Sequence, residues 1–381
     1  MHTEFCDEVG NEVPIFAFTH CRDVVVAVSK AGGMGVLGAG FMDVNQLREE
    51  LDWIDAHIGD YAYGVDVVIP QNYVGRDEDE LTELELEEKL WAMVPGEHLA
   101  MAQKLLDDHG VPPWPETGRP KIFGWTLQTV MPCLEEALCR PKCRLIVNAL
   151  GTPPADVINR VKSSGRLIGA LCGKRKQAVQ HRDAGLDFVV AQGTEGGGHT
   201  GEIGSVVLWP DIIDAVSPLP VLAAGGIGNG RQMLAAMAMG AAGVWTGSLW
   251  LTAEEADAQP AQKESFLNAA VDDTVRTKAW TGKPARVLRN AWTEAWDRSD
   301  TPDPLPMPLH GLVTADAMRR SEAYASSGRT QQVAMNICGQ VIGQINDIES
   351  CRSIIYRMIT EYLDGLEALN HLMPPELRED P

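Results

Sequence analysis

From Gln192 to Gly201 the chain reads Gln-Gly-Thr-Glu-Gly-Gly-Gly-His-Thr-Gly, so five glycines surround one imidazole. Glycine lets backbone approach a ligand closely and adopt positive φ. An imidazole in that setting, His199, can exchange protons near neutral pH. Two further glycine-bearing corners follow, Ala223-Ala224-Gly225-Gly226-Ile227 and Thr246-Gly247-Ser248. Each closes an apolar run, as Gln192 closes Asp187-Phe188-Val189-Val190-Ala191. Three such corners on one ligand suit a phosphate-bearing cofactor with a proton donor or acceptor beside it. The alternative is that the glycines only make tight turns and that Glu195 holds His199 as a structural residue.

Exposed N–H groups where Ala223–Gly230 ends a strand and opens a helix would attract a phosphate. In a parallel barrel the loops after the last two strands often do this. A dinucleotide fingerprint is not met, because no GxGxxG follows a first strand with an acidic residue downstream. His20, in Phe18-Thr19-His20-Cys21, could share the mouth of the same site. Lys174 could neutralise a cofactor phosphate or a flavin N1–C2 carbonyl, or stand exposed in the first turn of a helix. Asp66 lies within an apolar run, where a buried carboxylate needs a partner.

The elements that must position these residues are βα units. Candidate strands are Val13–Phe18, Gly35–Leu37, Tyr63–Ile69, Lys121–Trp125, Leu145–Ala149, Leu167–Leu171, Phe188–Ala191, Pro220–Ala224 and Val244–Thr246. Amphipathic stretches such as Asp23–Lys30, Lys174–Ala184 and Gly230–Met239 alternate with them. Repeated βα units imply parallel strands with helices outside. Eight of them close into a TIM (β/α)8 barrel of about 250 residues. Lys121–Trp125 is the candidate left out, next to an insertion over residues 71–120. That insertion carries an acidic run, Asp77 to Glu88, read as a solvated helix face. The barrel then spans residues 1–252, and residues 253–381 form a mainly helical region. Ala253–Asp272, Thr314–Ser326 and Gln331–Leu372 read as helix, the last from apolar residues near 3.6 spacing. This tail packs on the barrel or on a second subunit, as in a homodimer.

Composition narrows the function classes. The 381 residues include 53 acidic and 32 basic side chains, for a net charge of −21. Nucleic acid and anionic membranes would repel such a chain. No apolar run reaches the roughly 18 residues of a membrane span, and Met1–Gly10 has no signal-peptide pattern. Eight cysteines in a chain this long form no disulfide framework, which fits a reducing cytoplasm. Cys133, Cys139 and Cys143 lie close together without a CxxC pair, so no metal site is expected.

Taken together these residues resemble the nitronate monooxygenase family, FMN-dependent barrels that include flavin-dependent enoyl-thioester reductases. The resemblance rests on Ala27–Gly38, Gln192–Gly201 and Ala223–Ile227. It continues through Thr281-Gly282-Lys283-Pro284-Ala285-Arg286 and, more weakly, to Gly339-Gln340. It implies that Gly225, Gly226, Gly247 and Ser248 hold the FMN phosphate. Gln192, Gly197 and Gly198 would flank the flavin, with Ala17, Asp66 and Lys174 as further contacts and His199 as catalytic base. Three positions depart from the family pattern. Pro14-Ile15-Phe16-Ala17 replaces a Pro-Met pair, Asp66 an asparagine, and Trp245 a glutamine. A carboxylate at position 66 would disfavour an anionic reduced flavin by about 1.4 kcal/mol per pKa unit moved.

The activity so implied is oxidation of an alkyl nitronate with dioxygen to a carbonyl compound and nitrite. A second implied activity is NAD(P)H-dependent reduction of an α,β-unsaturated acyl thioester, with the insertion and tail lining the channel. A third reading, from a different class, is a barrel that binds without catalysis.

Overall fold

The computed structural model describes residues 1–40, 42–69, 83–114, 127–325 and 329–374. Eight parallel strands close a barrel: β1 Ile15–Thr19, β2 Met34–Gly38, β3 Tyr63–Val67, β4 Cys143–Asn148, β5 Leu167–Cys172, β6 Phe188–Gln192, β8 Val221–Ala224 and β9 Gly243–Thr246. Outside it, β7 Gly198–His199, β10 Thr274–Thr277 and β11 Ala285–Leu288 form a separate antiparallel sheet in the order β10-β11-β7. The eight barrel strands are the eight expected. Lys121–Trp125 lies outside the described residues.

Side chains alternate between the two faces of each barrel strand. Ile15 and Ala17 pack outward against the helices, while Phe16 and Trp245 fill the interior with Met34, Val36, Leu145 and Phe188. The Phe188 ring needs room, and Gly169 on the neighbouring strand supplies it. A Cβ there would come within 2.4 Å of that ring. At the N-terminal end of the barrel, the helix Glu4–Val9 drives Phe5 into the interior. Its ring centroid lies 5.7 Å from that of Phe16 and 5.2 Å from that of Phe188. That end is therefore plugged, and the opposite end carries the cavity.

The insertion and the C-terminal region share one apolar core above the barrel. Leu86, Leu90 and Leu106 from the insertion meet Trp280, Trp292, Trp296 and Leu312. The helix Leu309–Ala323 packs on the helix Gly96–Asp108. Of the expected acidic helix face, the described part is the helix Glu83–Ala92, with Leu86 and Leu90 turned into this cap.

The tail differs from its expected form. The long helix begins only at Cys351 and runs to Leu372. Before it, short 3-10 turns flank extended chain, and Ile337 bridges to Val287. The reason lies at Gly339, whose backbone is extended and packs directly on Glu195 and Gly197. The Cys351–Leu372 helix buries Cys351, Ile354, Ile355 and Met358 against the barrel's outer layer. No helix among the described residues is long and apolar enough to cross a membrane.

Candidate active site

The C-terminal ends of the strands surround a cavity of about 420 Å³. Strand parity decides its floor. Phe18, Asp66, Leu171, Gln192, Ala224 and Trp245 all occupy inward positions and line it. Ala17 has the opposite parity and faces the outer helices, so its side chain does not reach the cavity. Lys174 is exposed as the N-cap of the helix Arg175–Asp183 and stands outside the lining. The expected residues Gln192, Gly197, Gly198, His199, Gly225, Gly226, Gly247 and Ser248 all line one space with Asp66 and His20.

The end at which a phosphate is expected is built from turns. Gly225 and Gly226 adopt φ of +92° and +71°, values that side chains with a Cβ rarely take. A Cβ on Gly247 would meet nothing nearer than the Phe18 carbonyl oxygen at 4.0 Å, so it would project into open space. These corners leave room for a tail such as a phosphate. The helix that follows does not share this role. Its Gly230 N–H donates to Glu361 Oε2 at 2.7 Å, and the Gly228 N–H donates to Gln232 Oε1 at 2.7 Å. Protein groups therefore take donors expected for the anion. A third wall was not foreseen as site: the Gly339 N–H donates to Ser248 Oγ at 2.8 Å. The one signal for it was the weak resemblance at Gly339-Gln340.

Glu195 does not hold His199. Its carboxylate accepts the Ser205 N–H at 3.0 Å and the Ser205 hydroxyl at 2.7 Å, capping the helix Ser205–Val216. The loop is further closed by Gln192, whose Nε2 donates to the Gly197 carbonyl at 3.1 Å. Gly197 is tight for a structural reason as well, since a Cβ would lie 2.7 Å from the Cys338 carbonyl carbon.

His199 is held by the cap. Strand β7 pairs with β11, placing His199 opposite Ala285. Its Nε2 lies 2.6 Å from Thr281 Oγ1. Its ring stacks on Trp280 with centroids 4.9 Å apart and planes 15° apart. Loss of hydration, reinforced by the positive charge of Lys283, lowers the imidazole to about 4. It is therefore neutral at neutral pH. Thr281 lies in a segment noticed for its resemblance, but no spacing rule joins residue 281 to residue 199.

Two other groups face the cavity. His20 donates from Nδ1 to the Gly38 carbonyl at 2.8 Å, and burial lowers its pKa. Asp66 is buried, and that burial raises its carboxyl well above the usual carboxylate range. That direction opposes the ionised carboxylate expected at this position. Trp245 lies beneath, stacked on Phe18 with centroids 6.1 Å apart.

The family profile described as nitronate monooxygenase matches residues 17–361. The chain belongs to the nitronate monooxygenase family. It is accordingly an oxidoreductase. A Mycobacterium tuberculosis protein, named provisionally a monooxygenase, is 44% identical over 98% of this chain and 100% of its own. A Staphylococcus aureus protein, named provisionally a nitronate monooxygenase, is 29% identical over 85% of this chain and 91% of its own. Among solved structures, nitroalkane oxidase from Streptomyces ansochromogenes superposes with a TM-score of 0.79 at 24% identity, covering 96% of this chain and 99% of that one. FabK from Thermotoga maritima superposes at 0.74 and 24%, covering 98% and 100%. These two show that the fold of this family member is shared.

Three outcomes are expected from this geometry. The acid limb of the kcat/KM profile should fall near pH 4, where His199 gains its proton. Lys283→Met should move that limb upward, because removing a nearby positive charge favours the imidazolium. A limb left in place by the substitution would contradict the electrostatic assignment. Gly247→Val should fold with unchanged thermal stability yet lose cofactor uptake, since the added side chain occupies only the cavity. Full flavin occupancy in that variant would refute the placement of the tail.

Proposed function

We propose that this protein is an FMN-dependent nitronate monooxygenase that converts an alkyl nitronate and dioxygen to a carbonyl compound and nitrite. The observation that carries the reading is a neutral imidazole, fixed by Thr281 and Trp280, at a cavity bounded by the Gly225-Gly226 and Gly247-Ser248 corners. Family membership supports it. FMN, when bound, supplies the electron-accepting and dioxygen-reacting chemistry.

The chain's own residues do the rest. Gly225, Gly226, Gly247 and Ser248 hold the phosphate, and Gln192 with Gly197 and Gly198 borders the ring. The capped loop and the Trp280 face exclude water from the reacting side. In the tautomer in which His199 Nε2 donates to Thr281 Oγ1, the Nδ1 lone pair is left to take the α-proton of a neutral nitroalkane. A base needs this unprotonated form at working pH. The ammonium of Lys283, whose charge reaches His199, favours an anionic nitronate near the same ring.

One observation favours a second reading, NAD(P)H-dependent reduction of an unsaturated acyl thioester. No Lys or Arg is among the described residues lining the cavity, and the walls are largely apolar. Anaerobic stopped-flow mixing of the flavin-loaded protein with propyl-2-nitronate, NADH and NADPH separates the two. Rapid flavin reduction by the nitronate alone is expected. Rapid reduction by either nicotinamide, with none by the nitronate, would establish the rival. His199→Asn should retain FMN and lower kcat with a neutral nitroalkane by about 10²-fold or more. Undiminished turnover would remove the base assignment.

A further inference from the structure

We propose that the Asp66 side chain donates a hydrogen bond to the ring of the bound flavin, its carboxyl O–H serving as an amide N–H would. The inference rests on the FMN reading above. It begins with strand parity. Tyr63, Val65 and Val67 pack outward against the helices, so Asp66 points into the barrel and lines the cavity beside Gly38 and Val68. Its residue is 3% exposed.

Among the described residues, nothing nearby suits an ionised carboxylate. Among the described residues none forms an ion pair or a side-chain hydrogen bond with Asp66, and no Lys or Arg lines the cavity. The other acidic side chains along the wall, Glu195 and Asp257, offer it no cation. A buried charge without a partner is costly, and the group takes up a proton instead. That burial raises the Asp66 carboxyl agrees with this.

Protonation changes what the side chain offers. A carboxylate only accepts hydrogen bonds, whereas a carboxylic acid carries one O–H donor. A flavin ring presents carbonyl oxygens and ring nitrogens that accept. The donor therefore has a use only when the cavity is filled, which explains a polar group left without a partner among the described residues on an apolar floor. The same donor would ease reduction of the ring, because it opposes no developing negative charge.

The test is infrared difference spectroscopy of the full-length protein with and without FMN, in H2O and D2O. Wild type without FMN should show a protonated-carboxyl C=O band that shifts in D2O and is missing from Asp66→Asn. Addition of FMN should move that band to lower frequency. Fluorescence titration should find FMN affinity of Asp66→Asn within about threefold of wild type, because an amide also donates. Asp66→Leu, lacking a donor, should bind about tenfold more weakly. A band absent from wild type, or unmoved when FMN binds, would overturn the donor role while leaving the flavin reading intact. Failure of wild type to take up FMN at all would overturn the flavin reading and this inference with it.

Discussion

The pairing of Gly198–His199 with Ala285–Leu288 is the contact on which the site depends. Those two residues sit in a run of glycines with little intrinsic preference for a strand. The barrel alone would leave their loop free to sample many conformations. The cap supplies the partner strand, the Thr281 hydroxyl and the Trp280 face in one short segment. Trp280 is shared: it belongs to the apolar core joining the insertion to the C-terminal region, and it stacks on His199. Packing far from the strand ends is thus coupled to the direction of one imidazole.

The cavity's electrostatics follow from the same enclosure. Its floor is a layer of inward-facing side chains at the ends of parallel strands, and its walls carry no described Lys or Arg. In such surroundings burial disfavours the charged forms of three groups. The histidines at 20 and 199 are pushed down, and the carboxyl at 66 is pushed up. The glycine corners at Gly225-Gly226 and Gly247 add backbone and open space rather than a charged side chain to this lining.

The barrel was legible because buried parallel strands read as short continuous apolar runs ending in glycine or proline. Period-two alternation also fixes which residues face inward, and applied strictly it separates Asp66 from Ala17. The corners at Gly225-Gly226 and Gly247-Ser248 were legible for a similar reason, since strand-to-helix turns recur at regular spacing. Three features were not. Strand β7 forms only through its partner, so its own residues carry no strand pattern. The stretch before Cys351 inherits its helical reading from the spacing of Ile354, Ile355, Met358 and Ile359 further on, yet close packing of Gly339 on Glu195 and Gly197 demands extended backbone. Thr281 joins His199 across 82 residues of sequence, a relation set by tertiary pairing alone. Lys174 shows the converse: it follows a glycine at a strand end, but the chain turns it to solvent.

The most direct check is the protonation of His199 itself, read by nitrogen-15 NMR of histidine-labelled protein against a His199→Asn control. The expected result is a neutral imidazole at neutral pH that titrates near 4. Titration near the ordinary histidine value of about 6.5 would contradict the enclosure and the capping contact together.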